Sequence, residues 1–229
     1  MKVFHDVGAH HGETLRAVRD PKLAFGRIYC FEPARSCWEA LEGVVDDRVV
    51  VCRYGLWNRT CEHPLYEPGS IGGSLFEDKF SQGPVRSTAE LCQLVRATEW
   101  FRENLDGRDD IFMKLNCEGA ECDILEDLLD SGELARVRSV VIDFDVRKIP
   151  SLSHRERELR GRLASVGLRN YVLASDVMIG VTHRNRIQHW LKTAGAEEAS
   201  RAARVRQVGY LLAEAAQGRG EPLREVLRR

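Results

Sequence analysis

The sequence has no run of apolar residues long enough to cross a membrane, since no stretch approaches 18 such residues. It also has no excess of charge of one sign, because 34 Lys and Arg stand against 35 Asp and Glu. That balance gives no reason to expect a nucleic acid as a main partner. The first residues enter a predicted strand directly, so we expect no signal peptide. The length of 229 residues fits one globular domain with a sizeable core.

A Cys-x-x-C pair is also lacking, and the number of cysteines, seven, is odd. Several of them fall within predicted strands or helices, where a thiol behaves as a small apolar group. We therefore predict reduced thiols and a cytoplasmic protein. Cys117 and Cys122 flank a motif described below, but we expect neither to act as a nucleophile.

A glycine turn follows the first apolar segment. Residues 3–7 read as a buried strand, and Asp6, Gly8 and Gly12 give D-x-G-x-x-x-G ahead of Thr14 and a helical pattern. A turn at the carboxyl end of such a strand is where an open α/β sheet binds a nucleotide-like ligand, and glycine lets the backbone approach it. The turn differs from the dinucleotide fingerprint G-x-G-x-x-G, and its carboxylate disfavours a phosphate. S-adenosylmethionine fits, because it has no phosphate and its ammonium can use a carboxylate. The alternative is a turn that only joins strand to helix.

A carboxylate ends the second predicted strand. Residues 27–31 form this strand, and Glu32 follows it, 24 positions after Gly8. An acidic residue about 20 positions beyond the glycine turn is placed to accept the hydroxyls of a ribose. Glu32 is therefore a candidate for binding the cofactor ribose; a solvated residue at a strand end is the alternative.

A third segment, residues 111–129, combines a buried strand, a polar turn and an amphipathic helix. Taken together, DVGAHHG (6–12), FEP (31–33) and KLNCEGAE (114–121) resemble the FkbM methyltransferase motifs D-V-G-A-N-x-G, F-E-P and K-I-D-V-E-G-A-E. The resemblance covers about residues 3–145. It implies an S-adenosylmethionine-dependent O-methyltransferase with a Rossmann-like sheet, acting on a sugar, a glycan or a secondary metabolite.

The chain departs from these motifs at four places. His10 replaces an asparagine of the first motif, and Asn116 replaces an aspartate of the third. Residues 87–89 read Ser-Thr-Ala where the family often has T-L-D. Residues 143–145 read Asp-Phe-Asp where the family has Glu-x-His. An asparagine cannot act as a base. Cofactor binding therefore carries over better than catalytic detail, and a catalytically degenerate S-adenosylmethionine-binding protein remains an alternative. A nucleotide-binding oxidoreductase would need a phosphate-cradling turn, which residues 6–12 do not offer.

Candidate catalytic residues stand at strand carboxyl ends. Glu118, Asp143 and Asp145 are candidate proton acceptors, with Lys114 and Asn116 orienting. Each of them also has a structural alternative, such as a lysine paired with a carboxylate or an aspartate capping a loop.

Other residues are candidates for binding the cofactor. His10 is expected near the methionine end of the cofactor, and Leu56, Trp57 and Asn58 follow the third strand, where an adenine would lie. Trp57 could equally belong to the core. His5, His10 and His11 cluster in sequence, but His5 is expected to pack in the sheet, so we predict no metal site.

Strand and helix patterns alternate along the chain, which predicts a mostly parallel, seven-stranded α/β sheet with helices on both faces. Strands are predicted at 3–7, 27–31, 48–54, 110–115, 138–144, 169–174 and 177–182, the last two as an antiparallel edge pair. Helices are predicted at 13–19, 35–43, 88–105, 121–131 and 153–166, and a loop at 62–84.

A change of composition predicts a domain of 1–183 and a helical extension of 184–229. The extension holds ten Lys or Arg and five Asp or Glu, a charge of +5, against −6 for the remainder. Helices are expected at about 185–194, 197–216 and 221–228, with an apolar stripe of Val205, Val208, Leu211 and Leu212. Such a stripe has to be buried, so we expect it to cover the cofactor cleft or to form a homodimer seam. The basic charge alone is typical of a solvated face.

Overall fold

The computed structural model describes residues 1–80, 88–177 and 180–194. Residues Met1–Trp190 form one compact unit, and Leu191–Arg229 form a second one. Of the second unit only residues 191–194 are described, so the expected helices at 197–216 and 221–228, with the stripe from Val205 to Leu212, lie outside the described residues. The domain boundary at 183 stays a prediction. In the described part of the chain no helix is long and apolar enough to cross a membrane.

The strands are β1 Lys2–Val7, β2 Arg27–Phe31, β3 Val49–Cys52, β4 Gly55–Trp57, β5 Cys61–Tyr66, β6 Ala89–Arg96, β7 Asp110–Leu115, β8 Val137–Ile142 and β9 Tyr171–Leu173. The helices are α1 Glu13–Val18, α2 Arg35–Glu42, α3 Ala97–Asn104, α4 Glu121–Asp130, α5 Arg155–Ser165, α6 Ala174–Val177 and α7 His183–Thr193. Six strands form a parallel sheet in the order β3-β2-β1-β7-β8-β9. The predicted α/β class with a mostly parallel sheet is confirmed.

The last strand corrects two predictions within the described residues. The sheet has six strands rather than seven, and β9 pairs in parallel with β8 instead of joining an antiparallel edge pair. Helix α6 begins at Ala174, directly after β9, and takes in Val177, while 180–182 form no strand. A hairpin cannot form where the chain turns into a helix at the residue after the strand.

A second, three-stranded sheet has the order β4-β6-β5 and was not predicted. Its strand β6 occupies the first half of the expected helix 88–105, of which only the second half, α3, is helical. Strand β5 overlaps the start of the expected loop 62–84. In β6, Cys92 and Leu94 are buried while Leu91 and Gln93 between them are exposed. This period of two is the strand pattern, and the strand forms because β5 and β4 supply partners on both of its edges.

Each face of the main sheet is covered by aromatic side chains. On one face, Trp190 of α7 packs edge-on against Phe4 of β1, with ring centroids 6.0 Å apart. On the other face His5, also of β1, lies against Trp100 and Phe101 of α3 at 5.1 Å. Burial lowers the pKa of His5 to about 3, so this imidazole is neutral at pH 7. His5 thus packs within the sheet, as its alternation in β1 predicted.

The register brings the carboxyl ends of the central strands to one edge. Val7 lies beside Phe31 and Leu115, and Leu115 lies beside Ile142. Strand order reverses between β1 and β7, so the loops that follow these two strands diverge and leave a crevice.

Candidate cofactor and active site

A cavity of about 340 Å³ occupies this crevice, within the range of small-molecule sites. It is enclosed by the loops after β1, β2 and β7, the start of α1, the segment 69–75, the three strands of the small sheet and the first residue of α7. The lining residues are Val7, Gly8, Ala9, His10, Glu13, Thr14, Phe31, Glu32, Pro33, Ala34, Gly55, Leu56, Leu65, Gly69, Ser70, Ile71, Gly73, Leu75, Leu94, Lys114, Asn116, Cys117, Glu118, Ala120 and His183.

The structure brings eight of the predicted site residues to the cavity wall and leaves six away from it. On the wall are Gly8, His10, Thr14, Glu32, Leu56, Lys114, Asn116 and Glu118. Away from it are Asp6, Gly12, Trp57, Asn58, Asp143 and Asp145.

The glycines of the first turn serve the packing of the protein. Gly8 has a φ of +78°, and a Cβ built on it would lie 1.9 Å from the backbone oxygen of Asn116. Gly12 has a φ of +84°, and its Cβ would face Leu41 and Val44 rather than the cavity. Glycine is therefore required at position 8 because the backbone there lies against the loop after β7. The sequence alone instead predicts a glycine that lets a ligand approach the backbone.

The backbone N–H groups of this turn bond within the protein. Those of Gly8 and Ala9 donate to the Phe31 carbonyl at 3.1 and 3.0 Å, and that of Gly12 donates to Ala9 at 2.9 Å. The N–H of His10 donates to Oε2 of Glu32 at 2.7 Å. These four donors are not directed at a ligand, so the turn lacks the cradle that a phosphate needs.

Glu32 lies on the cavity wall with only 7% of its surface exposed. Its two carboxylate oxygens each accept one backbone N–H bond, Oε2 from His10 at 2.7 Å and Oε1 from Ala34 at 2.9 Å. Burial raises the pKa of this carboxyl, against the lowering effect of the two backbone bonds. Because a carboxylate oxygen has two acceptor sites, each oxygen retains one for a ligand hydroxyl.

Lys114 and Asp6 form a buried pair beneath the turn. The ammonium of Lys114 lies 3.2 Å from Oδ1 of Asp6 and donates to the Gly8 carbonyl at 2.6 Å. Burial raises the pKa of Asp6, and the Lys114 charge acts in the opposite direction. Asp6 is fully buried and faces Lys114, so it is not the carboxylate that the cavity presents to a ligand ammonium.

A pair of carboxylates stands beside the loop after β7. Glu118 has a φ of +55°, and its carboxylate forms an ion pair with Lys79. Burial, and the hydrogen bond that the protonated Glu118 donates to Asp145, raise the pKa of Glu118 to about 7. Burial acts against ionisation of Asp145 too, but its bonds with Glu118 and Lys148 hold its pKa below the usual value. Glu118 is thus the member of the pair that carries the proton near neutrality.

Glu121 shapes this loop from the start of α4. Its Oε1 accepts the backbone N–H groups of Cys117 at 2.9 Å and Gly119 at 3.0 Å. The residue is fully buried, and burial raises its pKa to about 7. The second glutamate of E-G-A-E therefore holds the loop that presents the first one, Glu118, to the cavity.

Two of the residues expected near an adenine instead bind helix α4. The indole N–H of Trp57 and the amide of Asn58 each donate to Asp123 at 3.1 Å, and Arg155 pairs with the same carboxylate at 2.8 Å. Leu56 remains on the cavity wall, because alternate side chains of a strand point to opposite faces. Asp143 is half-exposed and lies 3.5 Å from Arg147.

Sequence reasoning missed Lys79, His183 and Glu13. His183 lines the cavity, and its Nε2 lies 2.9 Å from the hydroxyl of Thr14. Burial lowers the pKa of His183, and the nearby charge of Lys114 lowers it further. The His183 ring is therefore neutral at pH 7. No local pattern marks His183 or Lys79, since each reaches the site from a segment remote in sequence. Glu13 directly follows the glycine turn, and this position in the sequence could have identified it as a residue of the site.

A search of solved structures found a partial likeness to the crystal structure described as methyltransferase FkbM from Methylobacillus flagellatus KT. The two share 19% sequence identity with a TM-score of 0.39, over 60% of this chain and 32% of the other. The chain thus matches about a third of that protein's length. No family model matches the sequence. No curated protein matches it either.

Proposed function

We propose that this protein is an S-adenosylmethionine-dependent methyltransferase of the FkbM type, which methylates a hydroxyl on a sugar, a glycan or a secondary metabolite. The observation that carries the proposal is the placement of Glu32. Its buried carboxylate ends β2 on the wall of a cavity at the point where strand order reverses. A carboxylate at this position of a parallel sheet suits a ribose diol.

The residues present fit this cofactor. The remaining acceptor site on each oxygen of Glu32 would take the two ribose hydroxyls, and four leucines of the wall, Leu56, Leu65, Leu75 and Leu94, offer an apolar surface for the adenine. The internally bonded N–H groups of Gly8, Ala9, His10 and Gly12 favour a ligand without phosphate over a dinucleotide. When bound, S-adenosylmethionine supplies a methyl group on a positively charged sulfur.

Proton removal from the acceptor is assigned to Glu118. Glu118 lines the cavity, and the pKa of its carboxyl is raised to about 7, which suits a base working near neutral pH. His183 is a second candidate, because it also lines the cavity and is neutral at pH 7. Thr14, bonded to His183, would orient that ring.

Calorimetric titration of the full chain with S-adenosylmethionine and with S-adenosylhomocysteine tests the cofactor assignment. We expect one site that binds both, weakened in Glu32→Ala and unchanged in Glu62→Ala, an exposed carboxylate on β5. Production of S-adenosylhomocysteine over a panel of sugars, glycans and hydroxylated metabolites then tests turnover. Absence of cofactor binding by a folded protein rejects the proposal.

A catalytically degenerate binder is the second candidate. Asn116 on the cavity wall cannot accept a proton, and the ammonium of Lys79 already pairs with Glu118. This candidate predicts cofactor binding without S-adenosylhomocysteine formation on any acceptor of the panel.

Further proposals concern partners and compartment. We propose that the protein forms a homodimer through residues beyond 194. We also propose a cytoplasmic location, which the seven free thiols suggest, and no nucleic acid or membrane partner. Light scattering of the full chain at micromolar concentration tests the dimer.

A further inference from the structure

Three metal-ligating side chains converge beside the cavity. The ligand atoms of His10, His11 and Cys37 all lie within 4.8 Å of one another. The two histidines are adjacent in the first turn, with ring centroids 3.9 Å apart, and Cys37 comes from α2. The backbone of His10 is left-handed, with a φ of 48°.

Both nitrogens of the His10 ring lie beside acceptor oxygens, which favours a cation at one of them. Its Nδ1 lies 3.2 Å from Oε1 of Glu13, and its Nε2 lies 3.1 Å from the carbonyl oxygen of Gly69. Both neighbours are acceptors, whereas a neutral imidazole has one N–H and one lone pair. One ring nitrogen therefore points a lone pair at an oxygen unless a second proton or a metal ion lies there.

Each nitrogen of the His10 ring has an acceptor beside it: Nδ1 lies 3.2 Å from the Glu13 carboxylate, and Nε2 lies 3.1 Å from the Gly69 carbonyl oxygen. When one nitrogen binds a metal ion, the other can therefore donate to its acceptor. A hydrogen bond of this kind usually orients a metal-bound histidine.

We propose that His10, His11 and Cys37 bind a Zn²⁺ ion as three of its four ligands, with the fourth position open. A thiolate with imidazoles favours zinc over the hard cations Mg²⁺ and Ca²⁺. The thiolate offsets one of the two charges of the ion. Because Cys37 is fully buried, the ion would be closed off on its α2 side.

Zinc at this position would fasten the first turn to α2. The N–H of His10 holds Oε2 of Glu32 at 2.7 Å, so a fixed His10 also fixes the carboxylate on the cavity wall. This inference goes beyond the proposed function, because zinc binding is measured without S-adenosylmethionine. A failure to bind zinc therefore does not bear on the proposed function, and a failure to bind S-adenosylmethionine does not bear on the zinc site.

The test is titration of the chelator-treated full chain with Zn²⁺ against a competing chromophoric chelator. We expect one equivalent to bind, and His11→Gln and Cys37→Ser to weaken it at least about 100-fold, beyond the 10- to 100-fold cost of losing an outer-shell partner. The controls His154→Gln, at an exposed site, and Cys61→Ser, on β5, should bind like the wild type. Equal affinity in all five proteins overturns the proposal.

A second measurement covers the case in which a variant folds poorly. Co²⁺ added to the wild-type chain should give the intense visible bands of a tetrahedral site and a near-ultraviolet thiolate charge-transfer band. Circular dichroism of each metal-free variant shows whether its fold is kept. A wild-type Co²⁺ spectrum without the thiolate band overturns the assignment of Cys37.

Discussion

Gly8 and Asn116 meet so closely that a Cβ on Gly8 would lie 1.9 Å from the backbone oxygen of Asn116. The loops after β1 and β7 are thus in direct contact at the floor of the cavity. The contact depends on a residue without a side chain, and its position at φ +78° also disfavours any other residue.

Gly8→Ala should therefore destabilise the protein more than an alanine placed at an equally strained glycine. Gly132 is the matched control, with a φ of +81° and no atom within 4 Å of its would-be Cβ. We expect Gly8→Ala to lower the free energy of unfolding by about 1–3 kcal/mol more than Gly132→Ala, the cost of overpacking. Urea denaturation of both variants measures the difference, and equal losses would contradict the contact.

Glu32→Gln should weaken S-adenosylmethionine binding. One of the two backbone N–H groups that Glu32 accepts would then face an amide NH₂, and the ribose would lose a charged acceptor. The expected loss is about 1.5–3 kcal/mol, the scale of hydrogen bonds to charged groups. Calorimetry of Glu32→Gln and of Glu62→Gln, a surface control that bonds Gln93, measures it. Equal affinity of the two variants would remove Glu32 from the site.

Glu118→Gln should lower turnover by about 10²–10⁴ while cofactor affinity stays near that of the wild type. As a base, Glu118 has to be ionised, so wild-type kcat should rise as pH increases through about 7, the value to which its pKa is raised. Lys79→Met should move this rise to higher pH, because the Lys79 ammonium lowers the pKa of Glu118. Measurement of kcat against pH tests both, with the exposed Glu158→Gln as the control. A wild-type pH profile in Glu118→Gln would shift the role to His183.

His5→Phe should reduce the sensitivity of the fold to acid. The pKa of His5 is lowered from 6.5 to about 3, so between these values the unfolded chain binds a proton that the folded chain does not. Stability is therefore lost as pH falls below 6.5, by about 2.5 kcal/mol at pH 4.5. Urea denaturation at pH 7 and 4.5 should show this loss in the wild type and in the surface control His154→Phe, but not in His5→Phe. The same pH dependence in all three would contradict the assignment.

The main sheet could be predicted because its signals are local. Apolar strands alternate with amphipathic helices over β1–α1 and β7–α4, and the observed bounds differ from the predicted ones by a residue or two. The small sheet could not be predicted in this way. Strand β6 reads as a helix by composition, and the pairing with β5 and β4 that makes it a strand joins segments remote in sequence.

For the site, the sequence alone determined the residues that directly follow parallel strands, such as Gly8, Glu32, Asn116 and Glu118, since strand ends in a parallel sheet share one edge. Tertiary structure decided which of the neighbouring groups face the cavity. It turned Asp6 toward Lys114 and Trp57 toward Asp123, and it brought in Lys79 and His183. The physical reason is that a side chain's direction depends on the partner that satisfies its charge or hydrogen bonds, and those partners come from distant parts of the chain.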